Sequence, residues 1–112
     1  MRLDVEAVQA RLRAFAAERQ WQPFHTPKNL AMALMVEAAE LAEIFQWMTP
    51  EQSLAARDDP ALTEPIADEV ADVLLYLLQI ADRAGVDLAQ AVENKLRKNA
   101  IKHPVASTQH HQ

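Results

Sequence analysis

Hydrophobic positions recur with a helical period along most of the chain, most plainly in two stretches. From Asn29 to Met48 (NLAMALMVEAAELAEIFQWM), Leu30, Leu34, Leu41, Ile44 and Met48 fall within a narrow arc at about 100° per residue. Glu37 projects into that arc and Glu40 lies roughly 60° to one side of it. Glu43 points to the far side, as an ordinary solvated charge does. The second stretch, Ile66 to Ala81 (IADEVADVLLYLLQIA), has its arc at Ile66, Val70, Val73, Leu77 and Ile80. Glu69 lies on its margin and Asp72 roughly 60° beyond, while Asp68 turns toward water. Each helix therefore brings an i, i+3 pair of carboxylates to the edge of a shared core.

Local signals set the other elements. A first helix is expected from Asp4, as N-cap, to Gln20, with Val8, Leu12, Phe15 and Ala16 as its buried stripe. Trp21 to His25 (WQPFH) makes an aromatic turn, and Thr26-Pro27 opens the second helix. That helix should stop before Thr49-Pro50, where Thr49 and Gln52 can form a capping box for a short helix over 50–57. Asp58-Asp59-Pro60 predicts a turn, with Thr63 capping the next long helix. Gly85 stands where a residue of positive φ is wanted, and Asp87 with Gln90 opens a last helix ending near His103-Pro104. The expectation is an all-α four-helix bundle with a short extra helix, one domain over residues 1–104 and a mobile tail over 105–112. Phe15, Phe24 and Phe45 are expected in the core. Met32, Met35, Val36, Leu75 and Leu78 lie off the main arcs, which points to further buried faces and hence to a homo-oligomer, a dimer or a dimer of dimers.

Composition agrees and narrows the function. Half of the 112 residues are hydrophobic and only one is Gly, as in helical proteins. A net charge of −5 without a basic face argues against nucleic acid as the partner. The absence of Cys excludes disulfides and thiolate metal sites. No apolar run approaches membrane-spanning length and the start lacks an apolar signal core, so a soluble cytoplasmic protein is expected.

A carboxylate facing a core must be compensated by a cation or by hydrogen bonds. Four oxygen ligands between two helices (Glu37, Glu40, Glu69 and Asp72) suit a hard divalent cation, Mg²⁺ or Mn²⁺, better than Zn²⁺. Such ions usually bind carboxylates together with substrate phosphates. Lys95, Asn99 and Lys102 fall on one face of the last helix and could approach phosphates together, or simply complement the helix dipole. Lys28 and Asn29 lie at a helix N-terminus, where free N–H groups can receive an anion. Trp47 projects almost along the Glu40 direction two turns later and Tyr76 follows Asp72 by one turn. With Trp21 and His25 just before the acidic helix, these offer surfaces on which a nucleobase can stack, although packing is the commoner fate of such residues.

The doublets Glu37-Ala38-Ala39-Glu40 and Glu69-Val70-Ala71-Asp72 resemble the E-x-x-E…E-x-x-D signature of the MazG-like all-α nucleoside triphosphate pyrophosphohydrolases. The flanks WQPFHTPKNLAMAL, LAEIFQWM, DVLLYLL and KLRKNAIKHP are similar to the dCTP pyrophosphatase branch of that family, over roughly residues 5 to 104. The resemblance implies a helical-bundle dimer or tetramer that cleaves (d)NTPs, dCTP or related pyrimidine deoxynucleotides first, to the monophosphate and pyrophosphate with Mg²⁺. It implies phosphate contact for Lys95 and Asn99 and favours Glu37 or Glu40 as the group orienting the attacking water. Where relatives offer a polar base contact from the first helix, this chain has Leu12 and Arg13, which leaves base preference open. Two alternatives stand beside it: the same chemistry on a modified or non-standard nucleotide, and a non-catalytic helical oligomerisation or nucleotide-binding protein. The latter leaves Glu37 and Glu69 uncompensated. A di-iron bundle needs Glu-x-x-His pairs, and no His lies within either acidic helix.

Overall fold

The computed structural model describes residues 2–105, and these are all-helical apart from turns. Helix α1 spans Val5–Glu18, α2 Pro27–Phe45, α3 Pro50–Ala55, α4 Pro60–Ala84 and α5 Leu88–Lys102. Short 3₁₀ turns at Gln22–Phe24 and Ala56–Asp58 link α1 to α2 and α3 to α4. The tail expected over 105–112 falls, from residue 106 onward, outside the described residues.

Most of the helix starts are set by side chains one turn away. Asp4 accepts from the Ala7 N–H, Thr26 from Asn29, and Asp87 from Gln90. Thr49 and Gln52 close the expected capping box. The start of α4 differs from expectation. Asp59 is its cap, accepting from the Ala61 N–H, and Pro60 occupies the first helical position. Thr63 lies within the first turn, its hydroxyl donating to the Pro60 carbonyl. A Pro at the first position loses no helical hydrogen bond, so Asp59-Pro60 is the stronger start, and Pro65 is carried inside the helix. Gly85 ends α4 at φ +72°.

Two other ends are shorter than expected. Helix α1 stops at Glu18, with Gln20 in the left-handed region at φ 58°. Helix α2 stops at Phe45, because Pro50 lacks an N–H and its ring collides with a helical carbonyl four residues back. Gln46 to Met48 therefore form a turn, closed by the Met48 N–H on the Phe45 carbonyl.

Helices α2 and α4 form the main antiparallel pair. Glu37 faces Glu69, while Leu30, one helical stretch earlier, shares a cavity with Gln79 and Asp82 further along α4. Leu30 and Leu78, each 2% exposed, and Ala81 anchor this core. Burying a Leu side chain contributes roughly 1.5–3 kcal/mol, and half-buried Leu34, Leu41, Ile44, Val73 and Ile80 add to it. Leu78 was expected off the core arc and lies in it, since α1 covers α4 from the other side. Val70 and Leu77 of the expected arc are instead half exposed.

Helix α1 runs alongside α4 through two long-range contacts. Gln9 donates to the Leu78 carbonyl at 2.9 Å, and Arg13 holds both carboxylate oxygens of Asp82 at 2.9 Å. Ala16 is the buried residue of α1, with Val8 and Leu12 half buried. Phe15 and Phe24, expected in the core, are 47% and 66% exposed, and Phe45 is half buried. Helix α5 packs lightly and leaves Val92, Leu96 and Ile101 exposed. The radius of gyration is 17.4 Å, against about 13 Å for a compact domain of this length.

Candidate active site

The acidic doublets meet where α2 and α4 pass each other. Glu37, Glu40 and Glu69 each place a carboxylate oxygen within 4.8 Å of the others. Glu37 and Glu69 are half buried, Glu40 and Asp72 exposed. Asp72 lies outside the tight triplet, although its charge still acts on Glu37.

Every charge acting on Glu37 is negative. Its carboxyl is pushed up from 4.5 to about 7, first by a hydrogen bond shared with Glu69. Lost hydration and the charges of Glu40, Glu69 and Asp72 add to it. The ion pairs among the described residues, Arg13–Asp82 and Arg19–Glu18, lie elsewhere. Glu69 Oε1 is buried without a hydrogen-bond partner. A buried carboxylate oxygen needs a donor or a cation. Either Glu37 carries the proton that Glu69 accepts, or a cation takes the place of that proton. Three converging carboxylates with an orphaned oxygen fit a divalent cation.

Asp72 also lines a groove of about 690 Å³ between α1 and α4. Val8, Leu12, Leu74 and Leu75 make its aliphatic floor; Phe15, Trp21, His25 and Tyr76 make an aromatic wall. Phe15 meets Trp21 edge-on at 5.7 Å between ring centroids, and His25 tilts against Trp21 at 6.0 Å. Three of the expected base-contact residues, Trp21, His25 and Tyr76, thus share one groove that opens beside the carboxylates.

The other expected site residues stand apart from the groove lining. Trp47 is 88% exposed. Its expected direction assumed a helix continuing past Phe45, and the turn at 46–48 removes that geometry. Lys28 is exposed. Asn29 holds the preceding turn, its Nδ2 donating to the Phe24 carbonyl at 2.9 Å and its backbone N–H to Thr26. Lys95, Asn99 and Lys102 are exposed on α5, and none of them acts on Glu37.

The profile of the MazG-like family matches residues 32–112. The chain belongs to the MazG-like family. The dCTP pyrophosphatase 1 of Bos taurus is 45% identical over 91 residues, 81% of this chain and 54% of that protein. The Homo sapiens protein of the same name is 44% identical over 90 residues, 80% of this chain and 53% of its own. The MazG-like chain thus spans about half the length of these curated relatives. A solved structure of a pyrophosphatase from Archaeoglobus fulgidus superimposes with a TM-score of 0.83 at 37% identity. That match covers 93% of this chain and 95% of the other. The family resemblance carried by the two doublets is borne out.

In this MazG-like chain the groove also contains Arg11 and Gln79, which the sequence did not single out, and Phe15 and Leu75, which it assigned to packing faces and not to the site. Gln79 had a usable signal. It follows Asp72 by two turns and Tyr76 by one, a polar residue on the acidic face of an otherwise apolar stretch. Phe15 had none, because its surroundings depend on where α1 docks.

Proposed function

We propose that this MazG-like protein hydrolyses nucleoside triphosphates, dCTP or a related pyrimidine deoxynucleotide first among them, to the monophosphate and pyrophosphate. The observation that carries this reading is the convergence of Glu37, Glu40 and Glu69 around an orphaned carboxylate oxygen, with no cation paired to them among the described residues. Glu37, Glu40 and Glu69 would hold Mg²⁺, or Mn²⁺ in its place, with Asp72 completing the set. When bound, the ion neutralises triphosphate charge and the departing pyrophosphate. Glu37 or Glu40 accepts the proton of the water that attacks the α-phosphorus. The aromatic wall of Trp21, His25 and Tyr76 receives the base by stacking.

The same reading takes residues 1–104 as one domain acting in the cytoplasm. No helix among the described residues is long and apolar enough to cross a membrane. It also takes the working form to be a four-helix arrangement closed by a second copy, a dimer or a dimer of dimers. Met32, Met35 and Val36 on α2 and Val92, Leu96 and Ile101 on α5 are exposed in the single chain, and the chain is extended. A copy seated on these faces would bring further groups toward the pocket, with Trp47, Lys28, Asn29, Lys95, Asn99 and Lys102 as candidates for substrate contact.

The test is a panel of dNTPs with Mg²⁺, assayed for pyrophosphate. Pyrophosphate release is expected, lost on metal removal and lost in Glu40→Gln with an unchanged circular dichroism spectrum. Release of single phosphate, or turnover without metal, overturns the reading.

A further inference from the structure

The groove beside Asp72 has the size of a small-molecule site, and stacking alone would not choose among bases. Of its polar side chains, Gln79 is the one held in a fixed direction. It follows Asp72 by seven residues, on the same face of α4 and about 10 Å further along the axis. That is close to the span of a nucleoside from its 5′ oxygen to the far edge of the base. A nucleotide with its phosphates at the carboxylates would bring that edge to Gln79.

The amide of Gln79 is half buried, and its Nε2 donates to the Leu75 carbonyl at 3.1 Å. A free glutamine can turn its amide over and present either polarity to a base. Here turning it would set Oε1 against the Leu75 carbonyl oxygen, two acceptors facing each other in a partly buried site. The amide is therefore locked, with Oε1 as the acceptor left for a ligand and the second Nε2 hydrogen beside it. The other polar groups of the groove do not share this constraint. Tyr76 can rotate its hydroxyl and His25 can change tautomer, Arg11 is an exposed donor, and Asp72 is taken up in the proposed metal set.

We propose that Gln79 determines base specificity, its fixed amide accepting from an exocyclic amine and donating to the ring nitrogen next to it. Cytosine and adenine present that donor–acceptor order. Uracil and thymine present the reverse, a carbonyl beside a ring N–H, and meet the locked amide with both contacts mismatched. The inference rests on the reading that the groove receives the base of a nucleoside triphosphate.

The test compares dCTP with dUTP, which differ only along this edge, by kcat/KM for pyrophosphate release in the full chain. Wild type is expected to prefer dCTP. Gln79→Leu should lower the dCTP-to-dUTP ratio roughly ten- to hundred-fold, the range of one good bidentate base contact. A structural role alone would change both substrates together and leave the ratio alone. The deoxynucleotide of 2-pyrimidinone, with hydrogen in place of the amine, applies the same test to wild type and should lose at least about ten-fold against dCTP. Leu12→Trp, which fills the groove, separates the two readings. If it raises KM for both nucleotides while Gln79→Leu and the analogue leave the preference unmoved, Gln79 is not the reader and the groove still holds the base. If Leu12→Trp leaves both KM values unchanged, the base lies elsewhere and both readings fall.

Discussion

Protonation of Glu37 should compete with metal binding across neutral pH. The carboxyl is raised to about 7 by its hydrogen bond with Glu69, by lost hydration and by three neighbouring negative charges. A cation must displace the shared proton before it can use that oxygen. With a pKa of about 7, roughly nine-tenths of Glu37 is ionised at pH 8 and roughly one-tenth at pH 6. Apparent Mg²⁺ or Mn²⁺ affinity should therefore fall about ten-fold from pH 8 to pH 6, where a carboxyl near 4.5 would give almost no change. Titration calorimetry at pH 6, 7 and 8 measures this directly, and the carboxyl-carbon chemical shift of Glu37 reports the proton. The metal-free protein gives the complementary sign. The folded chain keeps a proton on Glu37 that the unfolded chain releases near 4.5, so its contribution to stability is complete below that pH. It is lost as pH rises through about 7. Melting temperature without metal should decline over that window, and saturating metal should reverse the decline. Equal metal affinity at pH 6 and pH 8, or a Glu37 carboxyl titrating near 4.5, would refute the reasoning.

Four further outcomes follow from the packing. Leu30→Ala removes the most deeply buried large side chain and should cost about 2–5 kcal/mol in denaturant unfolding. Gly85→Ala meets no atom within 4 Å, so its expected loss of about 1 kcal/mol is purely the left-handed backbone, and Gly85→Asn should cost less. Asp59→Ala should lose about 1 kcal/mol through the α4 cap, whereas Thr63→Ala should change stability little. Met35→Glu should dissociate the proposed oligomer in sedimentation experiments while helix content stays unchanged, because Met35 is exposed in the single chain.

The helices and the acidic doublets were legible in the sequence because both are local. Caps act over three residues, as at Asp4, Thr26, Thr49 and Asp87, and an i, i+3 pair shares a helix face wherever the helix goes. Where two local signals competed, as at Asp59-Pro60 and Thr63, the stronger start was chosen by the chain itself. Whether the doublets would meet was a tertiary matter. So was the unequal outcome, with Glu69 left holding a buried, unpartnered oxygen and Asp72 turned to the groove.

The groove was decided wholly by tertiary structure. It exists because α1 docks on α4 through Gln9 to Leu78 and Arg13 to Asp82, each pair 69 positions apart in the chain. Periodicity along one helix gives the direction of a side chain but not what will cover it. For that reason Leu78, expected off the core arc, lies in the core, Phe15 and Phe24 were expected to be buried and are not, and Gln79 passed unnoticed. Trp47 shows the opposite dependence. A helix ending three residues earlier than its pattern suggested was enough to carry the ring out of line with Glu40. Amino-acid order determined which segments coil and which faces carry charge, since those depend on neighbours a turn away. The meeting of distant faces determined the cavity and the raised carboxyl of Glu37, since each requires atoms that only folding brings within reach.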